Sequence, residues 1–445
     1  MFSSKLKNEF KAGAAAVTII PSNSHFLFGY PFVERMSTGT NDELLSSAIY
    51  LNNGENQVLF ISNDIIYVSK DFVASVRRRI NKKTAIPEAN IMLAATHTHS
   101  GPVTTDIAIS GNDPIIPEVD KEYLNFLEDQ TVEAACQAFK NSEISEVSFV
   151  VGDATGVGTN RHNPDWPKDM DVPTMIVRNK NKEFICCMLV CSMHPTVLHE
   201  DSTLYSGDFP HFTRELLQKE ILGDNCPVVY FTGTAGNQSP RHVTKENTFE
   251  EAKRIGELVS KSIISKLSEE TPYLSEISIS TAQELVDLPK RKFPSVESSH
   301  INRDKTKKLF ESLKKTSNNS QEIRTAEVNW FGAEELLYLS KLAESNMLEK
   351  YYNLCLPAEV QIFKISEWSF VAWPGEVFVE YGLDLKNHFD NVSMITYANG
   401  DLQGYITTKE AYEKGFYEAG NSFFNYKAGE LLMEKTINLL KGFDK

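Results

Sequence analysis

Residues 91–102 read IMLAATHTHSGP, and this stretch decides how the rest of the chain is interpreted. Its apolar beginning, 91–96, is typical of a buried strand, and the following Ser-Gly-Pro ends any regular element. Side chains two positions apart on a strand leave by the same face, so we expect His97 and His99 to point together at the strand end. Two neutral imidazoles placed in this way suit a zinc ion, and the alternative is a pair of hydrogen-bonded histidines at a strand end.

Composition limits the class of protein. The chain has 445 residues, of which 41% are hydrophobic and 24% charged, as is ordinary for a soluble globular protein. The net charge of −15 argues against a nucleic-acid partner and against simple electrostatic binding to an anionic membrane. No run of 18 apolar residues is present, so we predict no transmembrane segment. Residues 1–21 show no clear cleavage site and are interpreted as leading into the first strand, so we expect a cytoplasmic protein.

Three of the six cysteines lie in the apolar run FICCMLVCSM at 184–193. Adjacent Cys186 and Cys187 point to opposite faces of a strand, which argues against a structural metal cluster there. We interpret the cysteines as free and buried in a reducing compartment, with a catalytic cysteine as the alternative.

Strand-like and helix-like runs alternate along the whole chain. No Pro/Gly/Ser tract or repeat divides them, so the pattern predicts one α/β domain over residues 1–445, with mixed sheets and flanking helices. The most polar stretch, 290–325, is interpreted as a charged surface helix with loops at both ends, and a lid or a partner surface is the alternative. Strands are predicted at 14–20, 46–51, 57–62, 91–96, 145–154, 172–179, 183–191, 227–231, 274–285, 359–365, 368–373 and 391–400, and helices at 69–83, 120–141, 211–221, 247–267 and 422–442.

Two further motifs carry candidate ligands. In SMHPTVLH at 192–199, Pro195 keeps His194 extended, and His194 is either a metal ligand or a strand-end histidine bonded to a backbone carbonyl. In WPGEVFVE at 373–380, a turn is followed by Glu376, which we expect to open a helix. Glu376 is a candidate ligand or general base, or it only complements the helix dipole. Two histidines and one carboxylate would make a zinc site with an open position, the usual catalytic arrangement.

Three other motifs place polar side chains in turns. GTAGNQSPRH at 233–242 exposes Ser239, which can face a carbonyl carbon or belong to a structural turn, but no GxSxG elbow surrounds it. The glycine-rich segment 397–422 carries four tyrosines that can pack, bind a metal or hold an oxyanion, and the residues alone do not choose among them. Arg161, in TNRHN, can orient a carbonyl or carboxylate, or only pair with a surface acid.

AGAAAVTIIP, ATHTHSGP, SMHP, the GxxxNxSP turn, WPGE and YITTKEAYExxxYE, in this order, resemble the neutral (non-lysosomal) ceramidase family from about residue 12 to 440. The resemblance implies one zinc ion per chain. It implies His97, His194, Glu376 and Tyr405 as ligands, Ser239 as nucleophile, His99 as a proton-transfer group, and Arg161 and Tyr417 as contacts to the scissile amide.

The sequence also departs from the well-studied ceramidases. Those enzymes continue into a C-terminal immunoglobulin-like domain, whereas only about forty residues follow Tyr405 here, so we expect the catalytic domain without that domain. The segment after His194 also lacks their Asn-rich loop.

The resemblance implies a zinc-dependent amidohydrolase that cleaves an N-acyl amide, ceramide or a ceramide-like lipid, into a fatty acid and an amine such as sphingosine. Because no base adjoins Ser239 in sequence, attack by an activated water is preferred over attack by the serine. Two alternatives remain: a metal-binding homologue without catalysis, and a serine hydrolase that uses Ser239 without metal.

Overall fold

The computed structural model describes residues 9–268 and 270–443, in which strands and helices alternate as predicted. The strands are β1 Lys11–Thr18, β2 Gly39–Thr40, β3 Leu45–Asn52, β4 Gln57–Asn63, β5 Ile91–Ala95, β6 Glu143–Asp153, β7 Thr159–Asn160, β8 Asp171–Asn179, β9 Phe184–Cys191, β10 Leu204–Tyr205, β11 Val228–Thr232, β12 Gln238–Ser239, β13 Ile279–Val286, β14 Ala358–Ile365, β15 Trp368–Ala372, β16 Glu376–Val377, β17 Val392–Ile395 and β18 Tyr405–Ile406. The helices are α1 Lys70–Thr84, α2 Lys121–Lys140, α3 Phe209–Leu217, α4 Phe249–Ile264, α5 Val296–Thr316, α6 Ser320–Glu344, α7 Glu349–Cys355, α8 Val379–His388, α9 Lys409–Lys414, α10 Tyr417–Gly420 and α11 Lys427–Gly442.

Two large mixed sheets organise the chain. The first has eight strands in the order β11-β9-β8-β6-β1-β3-β4-β5, and the second has four in the order β13-β14-β15-β17. The pairs β4–β5, β9–β11 and β15–β17 run parallel, and the other pairs in these sheets run antiparallel. The predicted α/β class with mixed sheets and flanking helices is therefore confirmed.

The two sheets pack face to face around aromatic side chains. The ring of Phe60 on β4 lies 5.2 Å from that of Phe363 on β14 and 5.6 Å from that of Phe370 on β15, measured between centroids. Strand alternation gives each sheet a second apolar face. On β9, Cys186 faces the core between the sheets and Cys187 faces the helices, as predicted.

Helices cover the outer faces, which produces four layers. Helices α1 and α2 pack on β3 to β5, α3 and α4 pack on β8, β9 and β11, and α8 and α11 pack on the second sheet. Side chains that accept from backbone amides cap several of their first turns, among them the predicted Ser69 at α1. No described helix combines the length and the apolar composition that a bilayer crossing requires. After β18, the described residues form α9 to α11 and contain no immunoglobulin-like sandwich.

The polar stretch 290–325 contains the predicted surface helix, α5, between two loops, but the predicted length of the second loop is wrong. Asn319 accepts from the amides of Gln321 and Glu322 and so caps α6, which begins inside the predicted loop. α6 packs along α5 through contacts such as the stacked rings of Phe310 and Trp330, 5.5 Å apart. Only α5 has the solvated character that we predicted.

The predicted helix start at Glu376 is also wrong. Glu376 lies in strand β16, which pairs in parallel with β18 so that Glu376 faces Tyr405 in register. Helix α8 begins three residues later, at Val379. The carboxylate is thus held by strand pairing, and a role in complementing the dipole of that helix is excluded.

Candidate metal centre

The first histidine pair lies in a turn beyond β5, because the strand ends at Ala95. His97 adopts a left-handed conformation with φ of 65°, and its amide donates to the Ile65 carbonyl at 2.9 Å. The expected closeness of His97 and His99 is found, with ring centroids 4.9 Å apart. The predicted reason for this closeness, the alternation of side chains along a strand, is wrong. Both histidines lie in the turn after β5, and the backbone of that turn directs the two rings.

His194 reaches the same point from the end of β9. Its amide donates to the Gln238 carbonyl at 3.1 Å, and its Nδ1 lies 2.9 Å from the Ala235 carbonyl oxygen. Strands β9 and β11 are parallel neighbours, so the turns that follow them meet at one edge of the sheet. The structure confirms that His194 is bonded to a backbone carbonyl through Nδ1, and its Nε2 faces the other histidines, so the role of metal ligand stays a prediction.

The donor atoms converge. The Nε2 atoms of His97 and His194 are 2.9 Å apart, and the Nε2 atoms of His99 and His97 are 3.3 Å apart. Glu376 Oε2 lies 3.6 Å from Nε2 of His97 and 3.5 Å from Nε2 of His194. The three histidines have their ligand atoms within 4.8 Å of one another, a group that could hold a metal ion.

The hydrogen bonds at Nδ1 of His97 and His194 indicate the protonation of the two rings. His97 Nδ1 lies 2.9 Å from the Ile66 carbonyl oxygen, and His194 Nδ1 is placed likewise at Ala235. A carbonyl only accepts, so each Nδ1 carries the proton and each Nε2 presents a lone pair. Burial, followed by neighbouring positive charge, lowers the pKa of both imidazoles well below the usual value. Two buried lone pairs that face each other at this distance can share a bound cation.

Glu376 supplies the matching negative charge. Its Oε1 accepts a hydrogen bond from Tyr67 Oη at 2.5 Å, whereas its Oε2 is buried and has no hydrogen-bond partner. Burial raises the pKa of Glu376 to about 7, and the hydrogen bond from Tyr67 opposes that rise. This donor set of imidazole nitrogens and one carboxylate oxygen, with an orphaned buried oxygen directed at the histidines, fits zinc. Tyr67 was not singled out from the sequence, because nothing local links it to Glu376.

Tyr405, Arg161 and Tyr417 lie beside this group. The Arg161 guanidinium lies 5.3 Å from the centroid of the Tyr405 ring, and the Tyr405 and Tyr417 rings meet edge to face at 5.9 Å. Arg161 Nε donates to Glu418 Oε1 at 2.7 Å, while its Nη2 is buried without a partner. Burial alone would raise the pKa of Glu418, but Arg161 and His162 outweigh it and hold that pKa at about 2. Glu418 was not singled out from the sequence, although its place directly after Tyr417 in the quoted motif could have indicated it.

Ser239 lies at the end of strand β12 and lines the same cleft. Its Oγ accepts from the Arg241 amide at 3.4 Å. Within residues 9–268 and 270–443, no histidine or carboxylate side chain forms a hydrogen bond with it. The structure therefore brings together all of the predicted site residues, but it shows no base on the serine.

Two cavities meet at the centre. A polar cleft of about 590 Å³ reaches it past Arg161, Ser239 and Arg324, and a smaller cavity of about 100 Å³ extends from it between aromatic and aliphatic side chains. Gly29 lies where they join, and a Cβ at Gly29 would be only 2.4 Å from His99 Nδ1. Residues that line both spaces are Gly29, Tyr30, Pro31, His99, Tyr405 and Tyr417.

Comparison with known proteins identifies a family model and relatives that this chain resembles. Residues 11–226 match the family model described as neutral/alkaline non-lysosomal ceramidase, N-terminal. Neutral ceramidase B of Dictyostelium discoideum is 22% identical over 248 residues, which are 52% of this chain and 33% of that protein. The chain therefore matches about a third of the length of that curated relative.

Two solved structures share the fold. The neutral ceramidase from Pseudomonas aeruginosa superposes with a TM-score of 0.74 at 17% identity, over 96% of this chain and 73% of that one. A ceramidase complexed with C2 superposes with a TM-score of 0.75 at 15% identity, over 96% and 74% of the two chains. The match of residues 11–226 to the family model and the shared fold together confirm the resemblance to the neutral, non-lysosomal ceramidase family that the motifs indicated.

Proposed function

We propose that this protein is a zinc-dependent amidohydrolase that cleaves the amide bond of an N-acyl lipid, ceramide or a ceramide-like amide, to release a fatty acid and an amine. One zinc ion per chain would be held by His97, His194, Glu376 and Tyr405. The family match and the names of its ceramidase relatives support the reaction class.

One observation carries the metal assignment. The Nε2 atoms of His97 and His194 face each other at 2.9 Å, and the unpartnered Oε2 of Glu376 lies 3.5 Å from the second of them. Without a cation, two lone pairs and a carboxylate would be buried together with no donor between them, which costs several kcal/mol per unpaired group. With a cation, each of the three atoms has a partner.

Each of the surrounding side chains has a separate role in amide cleavage. Zinc, when bound, lowers the pKa of a coordinated water to about 7 and polarises the carbonyl. His99, whose Nε2 lies 3.3 Å from that of His97, accepts the proton of the attacking water and passes it to the leaving amine. Arg161 uses its free Nη2 to orient the carbonyl oxygen. The Tyr417 hydroxyl donates to the developing oxyanion, an interaction worth about 3–4 kcal/mol at comparable sites.

We infer that water, not Ser239, attacks the carbonyl. A serine needs an adjacent base to lose its proton, and no described side chain offers Ser239 one. Ser239 instead lies on the wall of the polar cleft, where its hydroxyl can bind the substrate.

The test measures bound metal by mass spectrometry on folded protein that was never exposed to chelator, together with hydrolysis of fluorogenic N-acyl amides and ceramide. We expect about one zinc per chain in the wild type and none in His194→Ala. His199→Ala is the matched control and should keep the metal, because His199 lines the same cleft but lies outside the metal group.

Absence of metal from the folded wild type would overturn the proposal. Full hydrolysis in the presence of chelator, abolished by Ser239→Ala, would establish a metal-free serine hydrolase. Bound zinc with no hydrolysis of any amide would instead indicate a binding protein.

A further inference from the structure

Three arginine side chains line the polar cleft beside the metal centre. They are Arg161, Arg241 and Arg324, and they come from three separate segments of the chain. The positive charges of Arg161 and Arg324 both lower the pKa of Arg241, so Arg241 lies close enough to the other two for their charges to repel. Like charges gathered at one place in a protein cost free energy unless negative charge compensates each of them.

Two of the three arginines have acidic partners. Arg161 forms its ion pair with Glu418 at 2.7 Å. Arg324 donates to Glu200 Oε1 at 3.0 Å and to Glu327 Oε2 at 2.8 Å. These three carboxylates are already engaged, and each of these two arginines is therefore compensated within the protein.

Arg241 has no such partner. Within residues 9–268 and 270–443, no side chain or carbonyl oxygen forms a hydrogen bond or an ion pair with its guanidinium. The side chain is partly buried. Burial, followed by the charge of Arg161, lowers the pKa of Arg241 to about 10, so the group is still protonated at neutral pH. Arg241 is thus a cation in the wall of the cleft that no anion of the described protein balances.

The two remaining charged residues of the cleft wall, Lys245 and Glu246, are exposed. Water solvates their charges, and an ion pair at such a position contributes little. Neither therefore needs a ligand. A partly buried guanidinium such as that of Arg241 gains much more from a bound anion, because less water competes for it.

The backbone fixes Arg241 beside the metal centre. Ser239 Oγ accepts from the Arg241 amide at 3.4 Å and so begins the short helical turn Pro240–His242. Nε2 of His242 lies 3.1 Å from the Arg161 carbonyl oxygen, which ties this turn to the segment after β7. The guanidinium is therefore carried by an anchored turn, as a group that recognises a ligand requires.

We propose that Arg241 binds a negatively charged group on the amine part of the substrate, so that the protein cleaves N-acyl amino acids or other N-acyl amides whose amine carries a carboxylate or a phosphate. A fatty acyl chain has no charge of its own, so the anion belongs to the amine. A guanidinium binds both kinds of anion through two parallel hydrogen bonds, and the anion would supply the compensation that Arg241 lacks. This inference rests on the proposed function and narrows its substrate to amides with a negative charge on the amine side.

The experiment compares amides that differ by one charged group. N-dodecanoylglycine is compared with N-dodecanoylglycinamide, and the phosphate ester of N-dodecanoylethanolamine with N-dodecanoylethanolamine itself. Release of dodecanoic acid by the zinc-loaded protein gives kcat/KM for all four. We expect the anionic member of one pair to be preferred by roughly 10- to 100-fold, because hydrogen bonds between charged groups are stronger than neutral ones. The pair with the larger preference shows whether the anion is a carboxylate or a phosphate.

Variants assign the preference to Arg241. Arg241→Gln should bring it close to one by slowing the anionic substrate, with the neutral substrate little affected. Arg241→Lys keeps the charge but loses the planar fork, so it should retain only part of the preference. Lys245→Gln is the matched control, because it removes the same charge from an exposed position of the same cleft and should leave the preference unchanged. Equal loss of preference in Lys245→Gln and Arg241→Gln would refute a site at Arg241 and indicate a general effect of charge.

The melting temperature tests whether Arg241 instead has a structural role. Arg241→Gln should leave the melting temperature unchanged or raise it, because the substitution removes an uncompensated charge that lies near two others. A large fall would show that Arg241 stabilises the fold, and it would refute the assignment of its guanidinium to a ligand.

Calorimetric binding of the same four amides separates this inference from the proposed function. Hydrolysis of both members of each pair at equal rates, unchanged in Arg241→Gln, would refute the anion site and leave the proposed function intact. Tighter binding of an anionic amide that Arg241→Gln abolishes, without hydrolysis by the zinc-loaded wild type, would support the anion site and refute the amidohydrolase.

Discussion

Arg161 and Glu418 form a buried ion pair, with Arg161 Nε 2.7 Å from Glu418 Oε1. Their side chains are 9% and 1% exposed, so little solvent screens the pair. The pair fixes the guanidinium while Nη2 stays unpartnered beside the metal centre. Glu418 is therefore a positioning residue for Arg161.

We expect Glu418→Gln to destabilise the protein by about 3 kcal/mol at pH 7, because it leaves the buried guanidinium uncompensated. The folded-state pKa of Glu418, about 2, lies below the ordinary value of 4.5. The stability that the Arg161–Glu418 ion pair contributes is therefore present above pH 4.5 and is lost as the pH falls toward 2. Denaturant unfolding at several pH values checks this, with Glu413→Gln on exposed α9 as the control. An equal difference at pH 7 and pH 3 would contradict the ion-pair assignment.

Tyr67→Phe should weaken zinc binding by roughly 10- to 100-fold, because it removes the hydrogen bond that orients Glu376. Tyr397→Phe is the matched control: Tyr397 stacks on His97 with ring centroids 4.0 Å apart, but its hydroxyl has no partner. Competition with a chromogenic chelator measures both affinities. Equal zinc affinity in the two variants would show that the Tyr67 hydroxyl does not orient a ligand.

Gly29→Ala should abolish most of the activity, because the new Cβ would meet His99 Nδ1 at 2.4 Å and displace the ring. Gly29 also has φ of 130°, where alanine is strained by about 1–3 kcal/mol. Gly223→Ala separates the two effects, since Gly223 has φ of 91° and open space around it. Activity and melting temperature are measured for both variants. Similar activity in the two would mean that His99 tolerates displacement.

Glu335→Gln should stabilise the protein, and the gain should grow between pH 5 and pH 8. The folded-state pKa of about 8 lies above the ordinary 4.5, so ionisation in the unfolded state disfavours folding increasingly as the pH rises through this range. Unfolding of wild type, Glu335→Gln and Glu334→Gln at both pH values measures the effect. A gain that is independent of pH would contradict a protonated, unpaired Glu335.

Most strands and helices were predictable from the sequence, because the spacing of apolar residues and the capping of helices are local properties. The run 91–96 is buried throughout and shows no alternation, yet its apolarity alone predicted β5, and Ser69 marked the start of α1 correctly. In the polar stretch 290–325 the sequence predicted the surface helix α5, but it did not predict the cap at Asn319 that begins α6.

The sequence by itself determined the α/β class, the positions of its strands and the polar turns that end them, since these depend on neighbours a few residues apart. Tertiary structure decided the rest. Strand order brought Glu376 into register with Tyr405, and the left-handed turn at His97 set the ring geometry. Tyr67 reached Glu376, 309 positions away, and α6 placed Glu335 in the small cavity. Partners so distant along the chain meet only when the sheets have formed, so no local pattern encodes them.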